Sequence, residues 1–165
     1  MAVTGLFLIL FLLMHMFGNL KVLASNEDFN RYAGFLRTIL NPILPGDSFL
    51  WIFRMFLLLA VVLHIWSAIR VNKQRNIGTG GAGRYSVKKN LSPENTYAAR
   101  TMFWGGWIIL AFLILHLLQF TISPGLLHNP PTDEAGRAGM VLTVFSHWWY
   151  VLIYLIAIIA VCMHI

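Results

Sequence analysis

Four of the six histidines, His15, His64, His116 and His164, fall one in each of four long apolar stretches. An ionisable side chain inside such a stretch is costly and is a functional candidate by default. Neutral imidazole is a ready metal ligand, and two facing imidazoles in apolar surroundings suit the iron of a b-type haem. Each ring gives one nitrogen to iron, and its other nitrogen needs a hydrogen-bond partner. The sequence holds no Cys-x-x-Cys-His, so any haem would be non-covalent. Cys162 is the single cysteine, which excludes an internal disulfide framework. Two other readings of the four histidines stay open: packing residues bonded to neighbouring helices, and a proton relay in a transporter.

Composition fixes the setting of these residues. The chain has 165 residues, 58% of them hydrophobic and 11% charged. Soluble domains carry about 25% charged residues, so this chain cannot cover a water-facing surface. A soluble enzyme, a nucleic-acid reader and a disordered tail are all disfavoured. Residues 1–20, 55–69, 101–132 and 138–165 are free of charge, and residues 51–53 extend the second run past Arg54. A spanning helix takes about 20 apolar residues. The expected fold is a single all-α membrane domain over residues 1–165, with four spans near 1–22, 49–71, 99–122 and 141–165. Val22-Leu23-Ala24 before Ser25 would also pass as a signal cleavage site. No Lys or Arg precedes the first apolar run, which also contains His15, so a span is the preferred reading.

The net charge is +6, and its position matters more than its sum. The loop near 72–98 and its flanks carry Arg70, Lys73, Arg75, Arg84, Lys88, Lys89 and Arg100 against Glu94. The first loop is balanced, with Lys21, Arg31 and Arg37 against Glu27, Asp28 and Asp47. The positive-inside rule therefore predicts a cytoplasmic middle loop. Its Gly-rich run, Gly78-Thr79-Gly80-Gly81-Ala82-Gly83, lacks the Lys-Ser/Thr of a P-loop and reads as a linker. In the first loop Phe29, Ala33, Leu36, Leu40 and Ile43 recur at helical spacing. Asn26, Glu27 and Asp28 mark a helix start, and Pro42 and Pro45 a stop. An amphipathic helix on the outer membrane surface is expected. Trp148, Trp149, Tyr150, Trp51 and Trp104 fit an interfacial belt, and His128 and His147 read as interfacial residues.

Depth sorts the four span histidines into two levels. His15 lies about 21 Å from the inner end of its helix, and His116 about 21–27 Å from the inner end of its own. His64 is about 10 Å from the inner end of the second span, and His164 about 24 Å from Trp148 on a helix descending from outside. The pairs are then His15 with His116 toward the outer face, and His64 with His164 toward the inner face. Ala60, Ser67 and Ala68 near His64, and Ala157 and Ala160 near His164, leave room for a porphyrin, although small residues equally favour helix packing. Phe11 and Asn19 flank His15, and Phe112 and Phe120 flank His116, either walling a ring or facing lipid. Haem propionates need cationic partners. Arg54, with Arg31 and Arg37, is the outer candidate; Arg70, Lys73, Arg84 and Arg100 are the inner ones.

The opening Met1-Ala-Val-Thr-Gly-Leu, with His15 and then Gly18-Asn19-Leu20, resembles the first helix of a known family. That family is the di-haem cytochrome b membrane anchor of succinate dehydrogenases and fumarate reductases. Asn30-Arg-Tyr-Ala-Gly-Phe-Leu-Arg37 is similar to its outer surface helix, and His64, Arg100 and His116 sit where the family has them. The resemblance covers nearly the whole chain. It implies two haem b groups, the proximal one held by His64 and His164 and the distal one by His15 and His116. It implies a flavoprotein subunit and an iron–sulfur subunit as cytoplasmic partners, and membrane lipid and quinone in the bilayer. On this reading the chain does not oxidise succinate itself; it passes electrons through haem to menaquinone.

The family's fifth span and the short segment before Met-Ala-Val-Thr have no counterpart here, so the sequence is expected to continue at both ends. Cys162 stands where some fumarate reductases carry a glutamate used in proton movement, and Arg37 lies where they carry another at the outer quinol site. Both departures favour quinone reduction over quinol oxidation. Asn19, Arg31, Tyr32 and Arg37 form the expected outer quinone site. The competing place is the inner face near Ser67 and Arg70. Two rivals remain: a cytochrome b subunit of a formate dehydrogenase or hydrogenase, and a His-lined proton-coupled transporter.

Overall fold

The computed structural model describes residues 1–78, 93–122 and 132–165, and among these every regular element is a helix. In chain order they are α1 (Ala2–Ala24), α2 (Asn26–Thr38), α3 (Ser48–Gly78), α4 (Pro93–Leu117), a π-helical turn (Leu118–Ile122), α5 (Thr132–Phe145) and α6 (Trp148–His164). They fall into two compact units, Met1–Lys89 and Asn90–Ile165.

In the first unit α1 runs for 23 residues, about 34 Å at the helical rise. That exceeds the roughly 30 Å hydrocarbon core of a bilayer. Only Gly18 is buried along it. Large apolar side chains such as Val3, Leu6, Leu10 and Leu13 are exposed. The same pattern recurs on α3, α4 and α6. Apolar surface on this scale suits lipid and not water.

Ser25 joins α1 to α2 by serving both helices. Its backbone is extended, with φ −164° and ψ 154°, which stops α1. Its hydroxyl accepts the Asp28 N–H at 3.0 Å, which caps α2. Glu27 and Asp28 in the first turn and Arg37 in the last complement the helix dipole. The helix itself begins at Asn26, as expected. The helix stops at Thr38, so Leu40 and Ile43 lie beyond it in a turn. The Asn41–Pro42 bond there is cis, and Pro42 cannot donate to a continuing helix.

α3 packs antiparallel to α1. Phe7 meets Phe56 edge-on at 4.8 Å between centroids, and Phe11 meets Phe53 at 5.9 Å. α3 continues past the expected end at 71, to Gly78. The Gly-rich run beyond it, Arg84, Lys88, Lys89 and His128 lie outside the described residues.

In the second unit α4 and α6 form the main contact. A Cβ placed on Gly105 would come within 3.8 Å of the Ala160 carbonyl, so the two backbones approach closely there. Small residues permit such packing where lipid supplies no hydrophobic drive between helices. Ala157 and Ala160 are buried accordingly, as Ala60 is in the first unit.

Among the described residues three helices are long and apolar enough to cross a membrane: Ala2–Ala24, Ser48–Gln74 and Thr101–Ile122. The expected fourth span at 141–165 is not one straight helix. Gly136–Phe145 and Trp148–His164 meet at 94°. Local side chains take over the backbone acceptor at the corner: Ser146 Oγ donates to the Thr143 carbonyl at 2.7 Å, and His147 Nδ1 lies 3.0 Å from the same oxygen. Such bonds compete with helix continuation. α6 alone is 17 residues, about 25 Å. Tyr150, expected in the interfacial belt, is buried instead, whereas Trp148 and Trp149 are exposed.

Candidate functional site

Each unit carries two of the four span histidines, on different helices and at different levels. In the first unit His64 of α3 lies against the start of α1. Its Nδ1 is 3.1 Å from Thr4 Oγ1, and a Cβ on Gly5 would sit 3.4 Å from its Cε1. His15 is eleven residues further along α1, a rise of about 16 Å. In the second unit His164 of α6 lies against Gly105 and Gly106 of α4. A Cβ on Gly106 would meet His164 Cε1 at 3.4 Å. His116, ten residues beyond Gly106, is higher by about 15 Å. Both units thus repeat the two-level arrangement read from depth.

The repeat extends to the residues around each ring. Glycine, phenylalanine six residues on, and histidine four further occur as Gly5, Phe11, His15 and again as Gly106, Phe112, His116. Each second helix carries a buried alanine one turn before its histidine, Ala60 before His64 and Ala160 before His164. In both units the glycine of the first helix receives the imidazole of the second. A Gly-x5-Phe-x3-His pattern could have been found in the sequence, but its meaning required the contact.

The upper histidines are walled by aromatic rings. Phe11 lies 5.3 Å from His15 at 31° between planes, and Phe112 lies 5.7 Å from His116 at 28°. Phe120 adds a further ring at 5.3 Å from His116. Asn19 Nδ2 donates to the His15 carbonyl at 2.9 Å, and Ser67 Oγ to the His64 carbonyl at 2.9 Å. His116 Nδ1 lies 3.1 Å from the Tyr154 hydroxyl, which donates to Gln119 Oε1 at 3.0 Å. Gln119 is wholly buried in the π-helical turn that follows α4. Such turns are frequent at functional positions. Neither Tyr154 nor Gln119 was expected from the sequence, because a tyrosine and a glutamine carry no spacing signal of their own.

The basic and polar candidates are each engaged separately. Arg54 lies over Trp51 at 5.1 Å and Arg70 over Trp66 at 5.1 Å. Arg31 pairs with Glu27 at 3.0 Å and Asp28 at 4.0 Å on an exposed face. Arg37 pairs with Asp47 at 3.7 Å. Tyr32 turns inward onto α1, where a Cβ on Gly18 would sit 2.9 Å from its Cε1. Lys21 lies over the same ring at 5.4 Å. Tyr32 and Asn19 therefore share the α1–α2 elbow, while Arg31 and Arg37 turn to acidic partners.

Among the described residues no three His, Cys, Asp or Glu side chains gather to hold a metal ion. A haem asks for one or two axial imidazoles, the porphyrin nitrogens supplying the rest. The glycines facing His64 and His164 keep the flank of each ring clear of side chains, which fits rings that must hold a set orientation. No family model, curated protein or solved structure matches this chain.

Proposed function

We propose that this chain is the haem-bearing membrane anchor of a bacterial succinate:menaquinone oxidoreductase. The observation that carries the reading is one histidine on each of four apolar helices, at two levels about 15–16 Å apart in each unit. The sequence resemblance supplies the enzyme class. His64 with His164, and His15 with His116, are the residues that would hold the two haems. The fourth span is α6 with part of α5, and the middle loop faces the cytoplasm. The partners are a flavoprotein and an iron–sulfur subunit at that face, which perform succinate oxidation.

When bound, two such haems supply single-electron carriage between the membrane faces. The chain's own residues hold, orient and insulate the ligands: Gly5 and Gly106 admit the lower imidazoles, and Phe11, Phe112 and Phe120 wall the upper ones. Arg54 and Arg70 are the cations that would serve propionates, each laid over a tryptophan. Quinone binds at the outer elbow beside Asn19 and Tyr32, with Arg31 and Arg37 at its rim.

Absorption spectroscopy of the purified protein is the direct test. A Soret band and reduced α-bands, with two haems per chain, are expected. Their absence would leave the transporter reading standing. Co-purification of a flavoprotein and an iron–sulfur protein is expected; a formate dehydrogenase or hydrogenase partner would overturn the enzyme class. Substituting Tyr32 and Arg37 should slow quinone reduction and spare succinate-dependent dye reduction. If both activities survive while an Arg70 variant loses quinone reduction, the site is at the inner face.

A further inference from the structure

Two hydroxyl groups, one in each unit, meet the Nδ1 of a span histidine, and the protons of both are already committed. Thr4 Oγ1 lies 2.9 Å from the Met1 carbonyl and 3.1 Å from His64 Nδ1. Tyr154 OH lies 3.0 Å from Gln119 Oε1 and 3.1 Å from His116 Nδ1. A hydroxyl has one proton and two lone pairs, and a carbonyl oxygen has no proton to give. Each short oxygen–oxygen contact therefore requires the hydroxyl proton to lie between the two oxygens. Toward the imidazole, each hydroxyl is left as an acceptor. A nitrogen facing it at 3.1 Å completes the contact when it carries the hydrogen.

In a neutral imidazole with its proton on Nδ1, Nε2 presents its lone pair. A part-buried polar group that loses its partner is costly, so each contact resists being broken. Tyr154 is also held sideways. Phe112 and Phe145 each meet its ring at 4.8 Å, in perpendicular and tilted-edge contacts. Gln119, which takes its proton, is wholly buried. On the other unit Thr4 is fixed by its own helix turn.

We propose that Thr4 and Tyr154 are positioning residues that place the proton of His64 and of His116 on Nδ1 and so present Nε2 to a metal centre. The proposal rests on the haem reading and adds which nitrogen binds and what sets it. A hydrogen-bond acceptor on Nδ1–H raises the basicity of the ligating nitrogen. Its removal should favour the reduced, less electron-demanding state and move that haem's potential upward.

The test is potentiometric titration of the complete purified complex, followed in the α-bands, for Thr4→Val, Tyr154→Phe and Gln119→Leu. Thr4→Val should raise the potential of one haem and leave the other unchanged. Tyr154→Phe should raise that of the other haem. A tenfold change in the one-electron equilibrium would read as about 59 mV. Gln119→Leu removes the oxygen that takes the tyrosine proton and should move the same haem as Tyr154→Phe. Thr4→Ser, which keeps the hydroxyl, should restore the wild-type value. If Tyr154→Phe does not assemble with haem, Gln119→Leu decides the upper site. Unchanged potentials in haem-loaded variants, or a common shift of both haems by either variant, would overturn the proposal. Wild-type protein without a Soret band would instead overturn the haem reading on which it rests.

Discussion

Replacing Gly106 with leucine should dislodge His164, whereas replacing it with alanine should not. The first added carbon decides the difference. A Cβ at Gly106 reaches 3.4 Å from His164 Cε1 and 4.0 Å from its Nδ1, close contact without overlap. Alanine therefore costs little packing energy, and it gains up to about 1 kcal/mol of helix propensity over glycine. Leucine adds a branched extension beyond a Cβ that already touches the ring. The imidazole or α6 itself must move, and Gly105 against the Ala160 carbonyl leaves the two backbones little room to slide. Overpacking of this kind costs about 1–3 kcal/mol. If haem binding bears that cost, affinity at the lower site falls about tenfold for each 1.4 kcal/mol. Haem content per chain, measured by pyridine haemochrome with protein quantitation, should fall toward one in Gly106→Leu and stay at the wild-type value in Gly106→Ala. Full haem content and unaltered potentials in Gly106→Leu would refute the idea that His164 must rest on this glycine to bind.

Gly5→Leu should give the same loss through His64, because the corresponding contact is also 3.4 Å; reconstituted haem content checks it. Gly18→Ala should cost about 1–3 kcal/mol by pressing on Tyr32, lowering the thermal midpoint, and Tyr32→Ala in the same chain should recover part of that loss. Ser25→Ala should loosen α2 by about 1 kcal/mol through loss of its cap, read as faster hydrogen exchange at Asp28, with Ser25→Asp close to wild type. Arg31→Ala should change the melting temperature little, since its ion pair with Glu27 is exposed and such pairs contribute about 0–1 kcal/mol.

What the sequence determined by itself was an all-helical chain with long apolar helices and the position of each histidine along them. Charge-free runs of about 20 residues can satisfy their backbone in lipid only as helices, so the first three spans were legible within a few residues. Helical rise converts sequence position into distance along a helix, so the separation of the two histidines within each unit was legible too. The bend before Trp148 was not, because Ser146 and His147 act on one carbonyl in a way apolar periodicity does not register. Nor were the partners of each imidazole. Thr4 lies 60 residues from His64, and Tyr154 lies 38 from His116. Only the antiparallel packing of α1 on α3, and of α4 on α6, brings each hydroxyl to its ring. Sequence places a histidine at a depth; the neighbouring helix decides which of its nitrogens holds the proton.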